Sequence, residues 1–213
     1  RSKFKAAGVW AIVQDVRSGE ILAMASFPTY DLNRFSSTPP EWRRNRTISY
    51  NYEPGSVMKP AVIALAMDRG LVTKDDIIDC ENGRWIHAGK PLHDSHPFDD
   101  LTVEEVLQHS SNIGTAKIAM MMEDQELYDG LRSFGFGKKT GIHLAAEERG
   151  IFYSPKHWSK ITTSRLAMGH EIGATALQVL SMMNTIANNG RQMRPLVIRE
   201  IKDSRGQVIE TFY

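Results

Sequence analysis

The run from Val57 to Met67 carries one charge, Lys59, and is entered through Tyr52-Glu53-Pro54-Gly55-Ser56. It constrains the fold more than any other stretch. Pro54 and Gly55 break the backbone, and the residues that follow are apolar on nearly every side. A helix that is apolar all round is a buried helix. Ser56 therefore stands at the N-terminus of a core helix, where unpaired N–H groups and the positive end of the dipole collect. Lys59, three residues on, shares a helical face with it. Burial disfavours the charged amine, and a neutral lysine can take a proton from a serine. Those are the parts of an activated nucleophile. The Ser-x-x-Lys spacing alone says little, because a serine so placed ordinarily caps the helix and the lysine is ordinarily solvated. Its surroundings have to decide.

The 213 residues suffice for one good-sized domain or two small ones, and 41% apolar with 24% charged residues is ordinary for a globular chain. A net charge of +1 gives no electrostatic case for nucleic acid or an anionic membrane surface. No apolar run approaches the roughly 18 residues of a membrane span, and no signal peptide precedes Arg1. The single cysteine, Cys80, excludes an internal disulfide framework and says nothing of compartment.

Arg1–Lys5 reads as the end of a helix. Gly8–Val16 and Glu20–Ala25 read as two strands joined by a turn at Arg17-Ser18-Gly19. Both arms are almost continuously apolar, which predicts a hairpin central in a sheet. Ser26–Asn51 is irregular. The serine helix ends at Arg69-Gly70. Leu71–Asp100 is polar and broken, a surface hairpin or loop. His93-x-x-His96 within it could place two imidazoles on an ion, but no cysteine completes a structural set, and Asp94 and Asp99 are common loop residues.

Thr102-x-x-Glu105 is a capping box that opens a helix to Gln108. Ser110-Ser111-Asn112 follows in a tight link, with further helices over about Thr115–Met122 and Asp124–Ser133. Phe134–Gly141 is glycine-rich and contains Lys139-Thr140-Gly141, but it lacks the spacer of a phosphate loop and follows a helix. His170-Glu171 lacks the second histidine of a metalloprotease helix, position 174 being alanine. Thr175-x-x-Gln178 opens another helix, closed by Gly190. Arg194–Lys202 and Gln207–Phe212 form a last hairpin around Asp203–Gly206.

With Glu53-Pro54-Gly55-Ser56-Val57-Met58-Lys59-Pro60 and Ser110-Ser111-Asn112-Ile113-Gly114 both present, the chain resembles the transpeptidase domain of class B penicillin-binding proteins, for which Ser-x-x-Lys, Ser-x-Asn and Lys-Thr-Gly are the signature set. The likeness also takes in Tyr30–Asn33, Asn45-Arg46, Leu101–Val103, Phe134–Gly137, Thr175–Gln178 and Ile186–Gly190. It implies an α/β fold of the serine β-lactamase/transpeptidase kind, an antiparallel sheet flanked by an all-helical subdomain. The whole of 1–213 is then a partial transpeptidase domain: 1–25 a helix end and hairpin, 52–190 a mainly helical part with the motifs, 191–213 a hairpin.

The resemblance makes Ser56 the acylated nucleophile, Lys59 its general base, Ser110 a proton relay, and Asn112 a donor to substrate that also holds Lys59. Ser111 is the variable middle residue with no side-chain role. No cofactor and no metal are implied. Substrates would be peptidoglycan stem peptides, with β-lactams as mimics. Partners would be divisome or elongasome membrane proteins, and the location extracytoplasmic at the inner membrane, with any anchor outside these residues. The family's Lys-Thr-Gly strand normally follows the Ile186–Gly190 helix, so Lys139–Gly141 is a decoy and the later sheet strands are missing. Poor acylation is then expected, since each absent oxyanion donor costs about 10²–10³ in rate. Two other readings share these residues. One is a β-lactamase or β-lactam sensor, in which water reaches the ester. The other is a non-catalytic partner-binding module.

Overall fold

The computed structural model describes residues 5–212. Its strands and helices run β1 (Val9–Gln14), β2 (Ile21–Phe27), α1 (Arg46–Ser49), α2 (Lys59–Asp68), β3 (Ile77–Asp79), β4 (Arg84–His87), β5 (Lys90–His93) and β6 (Asp100–Thr102). They continue with α3 (Val103–Gln108), α4 (Asn112–Ala119), α5 (Asp124–Ser133), α6 (Thr162–Ala167), α7 (Ala176–Ala187), β7 (Glu200–Lys202) and β8 (Val208–Thr211). The helix end expected at Arg1–Lys5 lies outside the described residues except for Lys5, which sits in a turn. The chain forms two units, one from Arg1–Asn51, Lys138–Arg149 and Thr175–Tyr213, the other from Tyr52–Gly137 and Gly150–Ala174.

In the first unit β1 and β2 pair antiparallel from Val9↔Phe27 to Gln14↔Ile21, with a bulge at the turn end. Asp15 organises that turn by accepting from the backbone N–H groups of Arg17 and Ser18, at 3.0 and 2.7 Å. The expectation of a central hairpin is corrected here. Among the described residues the ladder has two strands, and Val9, Val13 and Leu22 are 46%, 52% and 63% exposed. Apolar composition on both faces does not cover both faces, and the period-2 geometry leaves one of them open.

The buried face packs Ile12, Ile21 and Met24 against Ile48, Ile142 and Leu177. Gln178, 1% exposed, donates from Nε2 to the carbonyls of Lys138 and Arg149, at 2.7 and 2.9 Å. One side chain on α7 thereby ties down both ends of the 138–149 segment. α7 thus packs with β1 of the hairpin and with α1. Its capping box at Thr175 and Gln178 is present. The stretch before Asn51, expected to be irregular, holds α1, which Asn45 caps by accepting from the Thr47 N–H.

The second unit is built on α2. Ala61, Val62, Ala66 and, less completely, Ile63 and Leu65 are buried, and α2 packs against α3, α4 and α5, with α6 against α4. Gly130 on α5 lies so close to Leu65 that a Cβ there would fall 2.7 Å from its Cδ1. Truncating Leu65 to alanine would cost about 2–5 kcal/mol. The polar stretch before Asp100, expected as a surface hairpin or loop, contains the β4–β5 ladder and β3, which pairs with β6 at its far end, making two small ladders. The β4–β5 ladder reaches the site.

Candidate active site

Ser56 is held by the turn that begins its helix. Gly55–Met58 is a 3-10 turn that runs directly into α2, and the Lys59 N–H donates to the Ser56 carbonyl. In such a turn residues three apart stack over one another. Ser56 is exposed, whereas Lys59 is 1% exposed. Among the described residues the Ser56 hydroxyl makes no hydrogen bond. It is presented to solvent and not used as a cap, against the ordinary reading of a serine at a helix start.

Lys59 Nζ donates to three acceptors: the Ser110 carbonyl in a very short bond, Ser110 Oγ at 3.1 Å, and Asn112 Oδ1 at 2.7 Å. Three acceptors match the three hydrogens of an ammonium. Burial nevertheless pushes its pKa down, from 10.5 to about 8, and the Asp94 carboxylate partly opposes the shift. A pKa of about 8 leaves roughly a tenth of the amine neutral at pH 7. That fraction has a lone pair to offer a hydroxyl.

The acceptors come from the link between α3 and α4. Ser110 has φ 55°, and the N–H groups of Ser110 and Ser111 donate to the carbonyls of Leu107 and Val106. This is the double-bonded helix ending that glycine normally fills. A serine there costs about 1 kcal/mol in left-handed backbone. In return, the turn aims both the carbonyl and the hydroxyl of Ser110 at Lys59.

Asn112 is fixed at both ends of its amide, since Nδ2 also donates to the His93 carbonyl at the end of β5, at 2.8 Å. Its second amide hydrogen remains for a ligand. Asp94 then holds the start of α4. One carboxylate oxygen accepts from the Asn112 N–H in a very short bond and from the Ile113 N–H at 3.1 Å, and the other accepts from Ser111 Oγ at 2.6 Å. A carboxylate at a helix N-terminus meets both the orphan N–H groups and the positive dipole end. Ser111 is 1% exposed and caps α4 by accepting from the Gly114 N–H at 2.9 Å.

Against this geometry, residues 9–211 match the penicillin binding protein transpeptidase domain. The chain belongs to this family. Among curated relatives of the penicillin-binding domain, it is 37% identical over 191 residues to the peptidoglycan D,D-transpeptidase FtsI of Escherichia coli, covering 90% of this chain and 32% of that protein. It is 31% identical to the probable peptidoglycan D,D-transpeptidase PbpC of Pseudomonas aeruginosa, covering 93% and 35% of the two chains. The chain thus spans about a third of the length of the curated relatives it matches. Among solved structures, penicillin-binding protein 3 of Mycobacterium tuberculosis, complexed with aztreonam, superposes with a TM-score of 0.86 at 31% identity, over 96% of this chain and 46% of that one. The fold is therefore the transpeptidase fold expected from the sequence.

The structure brings Lys59, Ser110 and Asn112 into direct contact and sets Ser56 one turn before Lys59. It corrects the reading of Ser111, whose side chain caps α4 and binds Asp94. It also raises Asp94 from a loop residue to the group that orients α4. No local pattern marks Asp94, because its partners lie 17 to 19 residues away. Lys139–Gly141 forms no strand: the Thr140 N–H and hydroxyl both donate to Glu147 at 2.6 Å, and the Gly141 N–H donates to the same carboxylate.

Proposed function

We propose that this chain carries the acyl-transfer machinery of a peptidoglycan D,D-transpeptidase. Ser56 is the nucleophile, Lys59 the general base, Ser110 the relay and Asn112 a substrate donor. The observation that carries this reading is the buried Lys59 amine, of lowered pKa, gripped by Ser110 and Asn112 one turn from an exposed serine. The curated relatives are named as peptidoglycan D,D-transpeptidases, which supports peptidoglycan as the substrate class; stem peptides ending in D-Ala-D-Ala are what the family resemblance implies.

In the first step Ser56 Oγ bonds to the penultimate carbonyl carbon as its proton passes to neutral Lys59. The peptide C–N bond breaks, and Ser110 hands a proton to the departing D-alanine nitrogen. In the second step an acceptor amine attacks the ester, the C–O bond to Ser56 breaks, and the amine's proton returns through the same groups to the serine. A β-lactam follows the first step only, because its amine stays tethered and blocks the second.

The whole protein then works outside the cytoplasmic membrane, beside other wall-synthesis proteins of division or elongation. No helix among the described residues is long and apolar enough to cross a membrane. Prolonged incubation with a penicillin, followed by peptide mass mapping, tests the assignment. One adduct is expected on the peptide that contains Ser56, absent from Ser56→Ala and stable over hours. An adduct elsewhere, or none, refutes the assignment, and rapid loss of the ester marks a hydrolase.

A further inference from the structure

Tyr52, Glu53 and Gly55, just before Ser56, are stapled to a segment more than a hundred positions away. Tyr52 and Ala174 exchange backbone hydrogen bonds at 3.0 and 2.9 Å. The Gly55 N–H donates to the Gly169 carbonyl at 3.2 Å, and the two backbones lie so close that a Cβ on Gly169 would stand 2.2 Å from the Gly55 oxygen. Between these contacts Glu53 uses both carboxylate oxygens. Oε2 accepts from His170 Nδ1 at 2.9 Å, and Oε1 accepts from the Glu171 N–H at 2.9 Å. Glu171 sits at φ 59°, a backbone that a residue with a side chain adopts only when its surroundings hold it there.

From this arrangement we infer that Glu53 is a positioning residue for the nucleophile, clamping the 169–171 turn so that the Gly55 peptide, and with it Ser56, keeps one orientation. The inference deepens the proposed function and rests on Ser56 being the acylated residue. Glu53 touches no group that reacts. Its effect passes through Gly169 to Gly55 and on to Ser56.

The charged groups acting on Glu53 are His170 and Arg165. The His170 hydrogen bond and then the Glu171 N–H hold the Glu53 carboxyl below its ordinary value. The pair is half exposed, with side chains 45% and 55% accessible, so its worth to global stability is small. Its worth to catalysis need not be small, because a nucleophile displaced by about 1 Å can lose on the order of 10² in rate.

Glu53→Gln keeps the size of the side chain and an oxygen for the Glu171 N–H, but removes the charge. His170→Ala removes the donor, and His170→Asn puts an amide N–H near the position of Nδ1. The acylation rate constant with a penicillin is measured together with the saturation constant and the melting temperature. Glu53→Gln and His170→Ala are expected to slow acylation roughly tenfold or more, with the saturation constant within about twofold of wild type. His170→Asn is expected to restore the rate. A purely structural role would lower the melting temperature and leave the rate constant at low temperature unchanged. Acylation of both variants within about twofold of wild type overturns the clamp while Ser56 stands. Failure of the wild type to form a Ser56 adduct overturns the assignment of the nucleophile, and the clamp with it.

Discussion

Two lysines in this chain match residue patterns of the family signature, Lys59 in Ser-x-x-Lys and Lys139 in a Lys-Thr-Gly decoy, and the structure treats them in opposite ways. Lys59 is buried, its amine fully engaged by groups from another helix link, and its proton affinity is reduced. Lys139 is exposed, and the threonine and glycine after it spend their donors on Glu147, seven and six residues on. The first motif buries its amine among acceptors and lowers its proton affinity, while the second closes a local loop. A motif becomes a site when its surroundings withdraw water from it and supply partners of the right valence. Short spacing alone does neither.

The largest test of that contrast is deletion of each amine. Lys59→Ala should slow acylation of Ser56 by about 10²–10⁴, the usual worth of a general base. Lys139→Ala should leave the rate within about twofold. A penicillin time course on both variants decides, and equal losses would erase the distinction.

Next in size is Ser110→Gly. The glycine suits the left-handed backbone at φ 55° but removes the hydroxyl beside Lys59. Acylation should fall by roughly 10²-fold, as for a lost proton-transfer group. Thermal stability should hold or rise by up to about 1 kcal/mol. A variant that loses stability and rate together would mean that the serine is there for the fold.

The pH dependence is expected to be smaller. With a Lys59 pKa of about 8, acylation should climb about tenfold between pH 7 and pH 9 as the neutral amine accumulates. Stability should move the same way. The folded value lies below the unfolded 10.5, so between about 8 and 10.5 the unfolded chain binds more protons, and stability rises with pH across that window. Denaturation midpoints of wild type and Lys59→Met, compared from pH 8 to 10, should show wild type gaining on the variant as pH rises; parallel curves would contradict the lowered pKa.

The smallest effect on rate is expected at Glu147, which is 8% exposed. Glu147→Gln weakens the anchor of Thr140 and Gly141 and should cost about 1–3 kcal/mol of stability in a melting experiment. The penicillin reaction should stay unchanged. A loss of acylation at that position would tie the 138–149 loop to the chemistry after all.

Much of the local structure was legible beforehand. The capping boxes at Thr102 and Thr175, the turn at Arg17–Gly19 and the buried character of α2 each follow from residues within a few positions of one another. What could not be read there depends on distant partners. β1 and β2 looked doubly buried because composition does not say which face is covered. Asp94 looked like loop filler because its value lies in the N–H groups of α4. Ser111 looked idle because a cap is recognised only once the helix start is known, and that start came three residues earlier than expected. α6 leaves no mark in the sequence, because Thr162–Ala167 is too short to show a period.

Sequence by itself determined that a hydroxyl and an amine would lie one turn apart at the head of an apolar helix, because helical spacing is a property of adjacent residues. Only the tertiary structure decided that the amine could serve as a base. Its proton affinity depends on exclusion of water and on acceptors 51 and 53 residues away, and those are set by how the helices pack.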